Sequence, residues 1–146
     1  MILLDTNILS ELMRIDVSKR VIAWLDQQIA SDLFICAIVR AEIELGLNLL
    51  PEGNRKDQLK QAAGQMFDEF AGRCLPFEEN SAIKYAQLVA YRRKSGRPIS
   101  VEDAQISAIA LTHGMKLATR NSRDFTSIEE LELINPWSQS NPRASN

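Results

Sequence analysis

MILLDTN, residues 1–7, is the stretch of sequence that decides the fold. Its apolar start has the composition of a short buried strand, and three polar residues follow at once. A strand that leads a carboxylate, here Asp5, into the turn before a helix is typical of parallel α/β proteins, which keep their chemistry at the carboxyl ends of the strands. The opening therefore predicts a parallel sheet with Asp5 at its functional edge.

Apolar runs of strand length recur along the chain, and helical patterns lie between them. The predicted strands are residues 2–4, 33–37, 74–77, 116–119 and 131–134. The predicted helices are 7–13, one after Ser18, about 38–50, a helical hairpin over 54–72, one after Ser81 and one after Ser100. Strands that alternate with helices predict an α/β fold of three layers, with a central parallel sheet flanked by helices.

Length and composition are those of an ordinary globular chain. The 146 residues, 45% hydrophobic and 25% charged, fit one domain. We assign residues 1–137 to it and expect 138–146, rich in Ser, Asn and Pro, to be a disordered tail. No apolar run reaches the roughly 18 residues that cross a bilayer, and no basic segment precedes the first one. We therefore expect a soluble, cytoplasmic protein with no membrane partner.

Charge and cysteine content exclude two classes of protein. The net charge of -2 argues against a general nucleic-acid coat, which needs clustered Lys and Arg. Arg92 and its basic neighbours up to Arg97 form a local cluster, for which a solvated face is the simpler interpretation. Cys36 and Cys74 stand outside any CxxC motif and away from histidine, so we expect two reduced core thiols and no zinc site.

Asp5 has two interpretations. Asp, Thr and Asn all accept hydrogen bonds from the free amides of a first helical turn, so Asp5 alone is explained as a helix cap. Thr6 and Asn7, however, offer two further capping side chains. This surplus leaves the carboxylate free and favours a ligand at the end of the strand.

Glu42 lies off the polar face of the helix predicted around it. Arg40, Glu44 and Asn48 share that polar face, whereas Glu42 projects into an apolar stripe at about 100° per residue. The stripe comprises Ile38, Ala41, Leu45 and Leu49. An ionised glutamate there needs an ionic partner or a metal. A buried salt bridge, or a place at the rim of the core, is the alternative.

Asp103 falls at the third position of a helix whose N-cap is Ser100. A capping role, in which the negative charge also suits the helix dipole, explains it without any further function. Asp103 nevertheless shares a face with Ile106 and Ala110, so we predict that it points inward. Inward acids at helix starts can share one cation.

A polar cluster over residues 119–124 follows the strand predicted at 116–119. Asn121 and Asp124 lie there at a strand end, or alternatively at the start of an Asx-capped helix. Arg120 and Arg123 are candidates for holding phosphate groups. His113, the one histidine, is expected to end a helix and is given no catalytic role.

The predicted ligands are hard oxygens without a histidine or thiolate cage. Such a set favours Mg²⁺, for which Mn²⁺ can substitute, over zinc. A divalent ion of this kind activates water for attack on a phosphodiester. A second ion about 3.5 to 4 Å away stabilises the charge on the leaving oxygen. Because carboxylates alone repel phosphate, the same ion is needed for binding a nucleic acid substrate.

Four segments, in order along the chain, resemble the PIN-domain family. They are LLDTN (3–7), AEIELG (41–46), EDAQISAIA (102–110) and ATRNSRDF (118–125). The chain is most similar to the VapC and FitB-type toxins of bacterial toxin-antitoxin modules, a similarity that LPFEEN (75–80) and INPW (134–137) extend. The resemblance covers nearly the whole sequence.

The resemblance implies a metal-dependent endoribonuclease and a PIN-like fold. Asp5, Glu42 and Asp103 match the family's acidic triad, and Thr6 matches its small hydroxyl neighbour. The resemblance also implies RNA as substrate, a homodimer, and a cognate antitoxin whose C-terminal segment fills the active-site groove. The complex with the antitoxin is expected to bind its own promoter DNA. The apolar residues of segment 54–72 would serve such an interface, or else the ordinary core.

Many members of the family carry a fourth acid where this chain has Asn121. A neutral amide is a weaker ligand, so the second metal is an open question, and Asp124 is the candidate substitute. Asn121 also favours an alternative function, a catalytically weakened PIN-like module that binds RNA or a protein. A phosphate-transfer protein with Asp5 as nucleophile is a third alternative, but position 7 is Asn7 rather than a second aspartate.

Overall fold

The computed structural model describes residues 1–138 and contains a five-stranded sheet whose neighbouring strands are all parallel. The strands are β1 (Ile2–Leu4), β2 (Leu33–Cys36), β3 (Cys74–Leu75), β4 (Lys116–Ala118) and β5 (Leu133–Ile134). The helices are α1 (Thr6–Leu12), α2 (Lys19–Asp26), α3 (Ala37–Asn48), α4 (Asn54–Glu69), α5 (Glu79–Lys94), α6 (Val101–Thr112) and α7 (Ser122–Phe125). The predicted α/β architecture, a parallel sheet flanked by helices, is confirmed.

The strand order places β1 at the centre of the sheet. The order is β3-β2-β1-β4-β5, and Leu3 of β1 lies opposite Phe34 on one side and Leu117 on the other. The chain therefore runs outward from β1 to β3 and returns to β4 on the opposite side of β1. Parallel sheets bind ligands at the carboxyl ends of the strands where the order reverses. In this chain that position is the end of β1, beside β4.

The hydrophobic core lies around the central strand. Leu3 and Leu4 of β1 are completely buried, as are Ile106 and Ile109 of α6. Helix α5 packs along α6, while α3 contacts α1, α4 and α6. Both faces of a sheet in this setting are covered, and for that reason β1 is continuously apolar rather than alternating.

Segment 54–72 differs from the prediction. It contains one continuous helix, α4, rather than a hairpin. Phe67 and Phe70 are only 6% and 7% exposed and belong to the core cluster, while Leu59 and Met66 are partly buried and pack against it. Of the two alternatives for these apolar side chains, the structure shows that they pack on the chain's own core.

Three local predictions also need correction or fall outside the structure. The helix predicted after Ser81 begins earlier, since α5 starts at Glu79 and its N-cap is Glu78. Ser81 is buried within the helix, where its hydroxyl donates to that of Thr112 at 3.3 Å. Cys36 is buried as predicted, but Cys74 is exposed. Of the predicted tail, Ser138 lies in a turn and residues 139–146 lie outside the described residues.

No helix within residues 1–138 has the length and apolar character that a membrane span requires.

Candidate functional site

Asp5 lies at the carboxyl end of β1 and is only 4% exposed. It is itself the N-cap of α1, since its Oδ1 accepts the backbone N–H of Thr6 at 2.7 Å. The expectation that Thr6 and Asn7 would replace it as caps was wrong. The second oxygen, Oδ2, accepts the hydroxyl of Thr119 at 2.7 Å. The carboxylate is therefore held from two sides in one orientation.

Thr119 is a site residue that sequence reasoning missed. It is completely buried and follows β4, whose Ala118 pairs with Leu4 of β1. Asp5 follows Leu4 on β1 and Thr119 follows Ala118 on β4, so the two residues are neighbours and their side chains make contact. The contact depends on the register of β1 with β4, because two residues just beyond paired positions lie side by side, and no local sequence pattern reports that register.

Glu42 is half-buried on α3, and it contacts the same residue, Thr6, that binds Asp5. The hydroxyl of Thr6 donates to Glu42 Oε1 at 2.9 Å, while the amide of the same residue binds Asp5. The predicted stripe around Glu42 was wrong, because Leu45 and Leu49 are 60% and 75% exposed. The buried residues of α3 are instead Val39, Ile43 and Leu47.

Asp103 lies in the first turn of α6, where the predicted cap is present. Ser100 is the N-cap of α6 and its hydroxyl accepts the Asp103 amide at 3.1 Å, as predicted. The side chain is half-buried, and its pKa responds to the charges of Asp5, Asp124 and Glu102. The helix start therefore brings this carboxylate into electrostatic range of the end of β1.

The pKa values of Asp5, Glu42 and Asp103 are all raised, chiefly because burial penalises the charged form. The hydrogen bonds that Asp5 accepts from Thr6 and Thr119, and that Glu42 accepts from Thr6, lower those two pKa values in part, and the side chain of Ser100 does the same for Asp103. Mutual repulsion adds to the increase, because the charge of Asp5 raises the pKa of both other acids. Within residues 1–138 the ion pairs involve other acids, at positions 11, 44, 52 and 132. The three carboxylates thus carry concentrated negative charge that no described basic side chain neutralises.

Asn121 is the N-cap of α7, and Asp124 lies within the single turn of that helix. The charge of Asp124 raises the pKa of Asp5 and Asp103, so this exposed carboxylate faces the same region. Asn121 is exposed at the N-cap of α7, where its side chain makes no capping bond. Its backbone N–H donates to Thr119 Oγ1 at 3.1 Å. The predicted helix start is therefore present, without the Asx cap.

Arg120 and Arg123 are exposed and are placed differently from each other. The guanidinium of Arg120 lies 5.0 Å from the ring centre of Trp137, at a polar cavity that Arg14 and Lys19 also line. Neither Arg120 nor Arg123 is among the charges that shift the pKa values of the three acids. The structure therefore keeps both arginines on the surface, outside the acidic cluster.

A groove of about 710 Å³ begins at the acidic cluster, with Thr6 and Glu42 in its lining. Residues of α1, α3 and α4 form its walls. Most of the wall is apolar, with Met13, Leu47 and Leu59 among its residues, and Arg55 adds a positive charge. Of the three carboxylates, Glu42 is the one that lines this groove.

The donor set fits Mg²⁺ in chemistry. Among residues 1–138 no three Asp, Glu, His or Cys side chains are arranged as a complete metal cage. Mg²⁺ does not demand one, since it keeps several waters and is commonly held by one or two carboxylates. Carboxylates that burial and mutual repulsion have left with raised pKa values are suited to such an ion, whose charge would compensate theirs.

Comparisons with known proteins agree with this architecture. The family model for the PIN domain matches residues 2–131. Toxin FitB of Neisseria gonorrhoeae is 41% identical over 138 residues, which are 94% of this chain and 99% of that protein. The VapC ribonuclease Y4jK of Sinorhizobium fredii is 38% identical over 94% of this chain and 98% of its own length.

A solved structure extends the similarity to three dimensions. It is described as FitAB bound to an IR36 DNA fragment, and it superimposes with a TM-score of 0.88 at 40% identity, covering 97% of this chain and 99% of that one. The resemblance predicted from four short segments is therefore confirmed over nearly the full sequence. The chain belongs to the PIN domain family.

Proposed function

We propose that this protein is a Mg²⁺-dependent endoribonuclease that acts as the toxin of a toxin-antitoxin pair. The observation that carries the proposal is the group of three inward carboxylates, Asp5, Glu42 and Asp103, with raised pKa values and no basic partner among the described residues. Relatives named as a toxin and as a ribonuclease support it. The cytoplasm is the proposed location.

The three acids would hold the ion, and hydrogen bonds orient two of them. Asp5 is held by Thr6 and Thr119, one on each carboxylate oxygen. Glu42 is held by the Thr6 hydroxyl. When bound, Mg²⁺ supplies an activated water and neutralises charge on the attacked phosphate. Mn²⁺ has the same preference for oxygen ligands and is the expected substitute.

The number of ions depends on residues 121 and 124. Asn121 is neutral and exposed, whereas the charge of Asp124 reaches Asp5 and Asp103. We propose one tightly held ion, with Asp124 as the residue best placed to help a second. Arg120 and Arg123 remain candidates for binding RNA phosphates on either side of the cleaved bond.

The partners follow from the groove and from the relatives. An antitoxin segment with apolar side chains and an acidic residue for Arg55 would suit the groove beside Glu42. The similar FitAB structure is described as bound to DNA, and we propose that this chain reaches promoter DNA only through its antitoxin. We also propose a homodimer, which sedimentation of the purified chain would test.

The experiment is cleavage of total bacterial RNA by purified, antitoxin-free protein. Discrete fragments are expected with Mg²⁺ or Mn²⁺ and none with EDTA. Asp5→Asn should lower the rate by roughly 100-fold or more, whereas Asp68→Asn, at an exposed position of α4, should leave it unchanged. Cleavage that persists in EDTA, or full activity of Asp5→Asn, would refute the proposal.

A catalytically weakened module that binds RNA or protein is the second candidate. Two observations favour it, the neutral Asn121 and the lack of a complete metal cage within the described residues. The two functions differ in one readout. A binding module would retain RNA in a filter-binding assay and give no product at any Mn²⁺ concentration, whereas the nuclease gives product that increases with Mn²⁺.

A further inference from the structure

Arg92 of α5 is buried, in contrast to the solvated position expected for it. Arg92 is 5% exposed, whereas the next residue, Arg93, is exposed to solvent. A charged side chain is rarely placed inside a protein unless polar partners compensate for its lost hydration. The partners of Arg92 therefore indicate what it does.

The guanidinium of Arg92 binds backbone oxygens of two separate segments. Its Nε donates to the carbonyl of Arg97 at 2.6 Å. The two terminal nitrogens donate to the carbonyls of Thr126 at 3.2 Å and Asp124 at 3.3 Å. None of the ion pairs found in residues 1–138 includes Arg92. The side chain thus acts as a bridge between main-chain segments rather than as half of a salt bridge.

The first of these segments leads to Asp103. Gly96, with a φ of 70°, follows the C-cap Ser95 of α5, and the amide of Arg97 donates to the carbonyl of Arg92 at 2.9 Å. This is the Schellman arrangement of a helix end, and Arg92 strengthens it by binding Arg97 with its side chain as well. Three residues later Ser100 caps α6 and binds the Asp103 amide.

The second segment is α7 and the residue that follows it. Arg92 binds the carbonyls on both sides of Phe125, a core residue that is 1% exposed. The same segment carries Asp124, whose charge raises the pKa of Asp5 and Asp103. The two segments that Arg92 joins are therefore the ones that carry Asp103 and Asp124.

We infer that Arg92 is a positioning residue that fixes the Asp103 and Asp124 segments relative to each other, and thereby the placement of their carboxylates around the divalent cation. The inference rests on the proposed function. Arginine suits the task because its planar group has donors pointing in several fixed directions. Lysine has one compact ammonium on a flexible stem and cannot span three carbonyls in the same way.

The test is Mn²⁺ binding to purified protein, measured by electron paramagnetic resonance without RNA. Arg92→Gln is expected to weaken Mn²⁺ binding by about 10-fold or more, the size found when groups that orient metal ligands are removed. Arg92→Lys should recover part of the loss. Arg93→Gln is the matched control, one position along the same helix, and should bind like the wild type. Circular dichroism establishes that each variant is folded.

The outcomes separate this inference from the proposed function. Wild-type protein that binds no Mn²⁺ would overturn the metal site and the inference with it. Wild-type binding with an unchanged dissociation constant in folded Arg92→Gln would overturn the inference alone. If Arg92→Gln does not fold, the Nε resonance of Arg92 in labelled wild-type protein decides. Slow hydrogen exchange and a shift on adding Mg²⁺ support the bridge, and fast exchange with no shift contradicts it.

Discussion

Asp5 shows how a single residue can serve the fold and the candidate site together. One carboxylate oxygen caps α1 through the Thr6 amide, and the other accepts the Thr119 hydroxyl. Both hydrogen bonds favour the ionised form, while burial opposes it and wins. The carboxylate is therefore fixed in direction, and a bound cation would favour its ionised form.

Replacing Thr119 by valine tests that balance. The Thr119 hydroxyl lowers the pKa of Asp5, so Thr119→Val should raise this pKa further and keep Asp5 protonated to a higher pH. The acid limb of the pH dependence of RNA cleavage is then expected to move to higher pH, with little loss on the alkaline plateau. Thr112→Val removes a hydroxyl from the far end of α6 and serves as the control. An unshifted acid limb in Thr119→Val would contradict the role given to the hydrogen bond.

At the scale of elements, the start of α6 positions one of the acids. Ser100 has extended backbone angles, and its hydroxyl accepts the amide of Asp103 three residues on. The cap therefore orients the first turn in which Asp103 lies. A serine at this point and an acid three positions later were visible in the sequence, and for this reason the prediction for α6 was confirmed.

Loss of this cap has a measurable cost. Ser100→Ala should lower the free energy of unfolding in urea by about 1 kcal/mol, the usual cost of an N-cap. Ser18, the N-cap of α2, makes no side-chain cap bond, so Ser18→Ala should change the free energy by less than about 0.5 kcal/mol. Equal effects of the two substitutions would show that the Ser100 hydroxyl does not stabilise α6.

Helix α3 shows where sequence patterns cannot decide. Apolar residues occur on most of its circumference, so two stripes, one through Leu45 and one through Ile43, satisfy helical periodicity equally well. Packing against α1 and α6 selects the stripe of Ile43. The prediction placed Glu42 in the stripe of Leu45, which is exposed, so its half-buried position was reached by the wrong argument and reflects its contact with Thr6 of α1 instead.

At the scale of the whole molecule, concentrating three acids at one edge of the sheet lowers the stability of the folded protein at neutral pH. Burial raises the pKa values of Asp5, Glu42 and Asp103. A raised folded-state pKa means that these groups contribute stability below the unfolded-state pKa, and that this stability is lost as the pH rises through the folded-state pKa. At neutral pH the ion-free protein therefore bears a cost that a bound cation would relieve.

Adding Mg²⁺ should accordingly stabilise the folded protein near pH 7. A concentration of 100 times the dissociation constant adds about 2.7 kcal/mol to the free energy of unfolding. The shift should disappear in Asp5→Asn, should persist in Asp68→Asn, and should fade as the pH falls toward the ordinary carboxyl pKa of 3.8. Thermal melting with and without Mg²⁺ at constant ionic strength measures it. An equal Mg²⁺ shift in wild type and Asp5→Asn would place the ion elsewhere.

The contacts that assemble the site were less predictable than its acids. The carboxylates stand out in sequence as charges at strand and helix ends. Thr119 and Arg92 do not, because one depends on the register of β1 with β4 and the other on the packing of α5 against α7. Both are long-range features of the fold, and local patterns carry no information about them.

The central claim is that Glu42 and Asp103 act with Asp5 as one metal-dependent unit. Its most direct test is the rate of RNA cleavage at saturating Mg²⁺ for the wild type, Glu42→Gln, Asp103→Asn and the double variant, each shown to be folded. Residues that act as a unit are strongly non-additive. Each single substitution should therefore cost roughly 100-fold or more, with the double variant no slower than the slower single variant. Losses that multiply in the double variant, or a single variant with the wild-type rate, would contradict the claim.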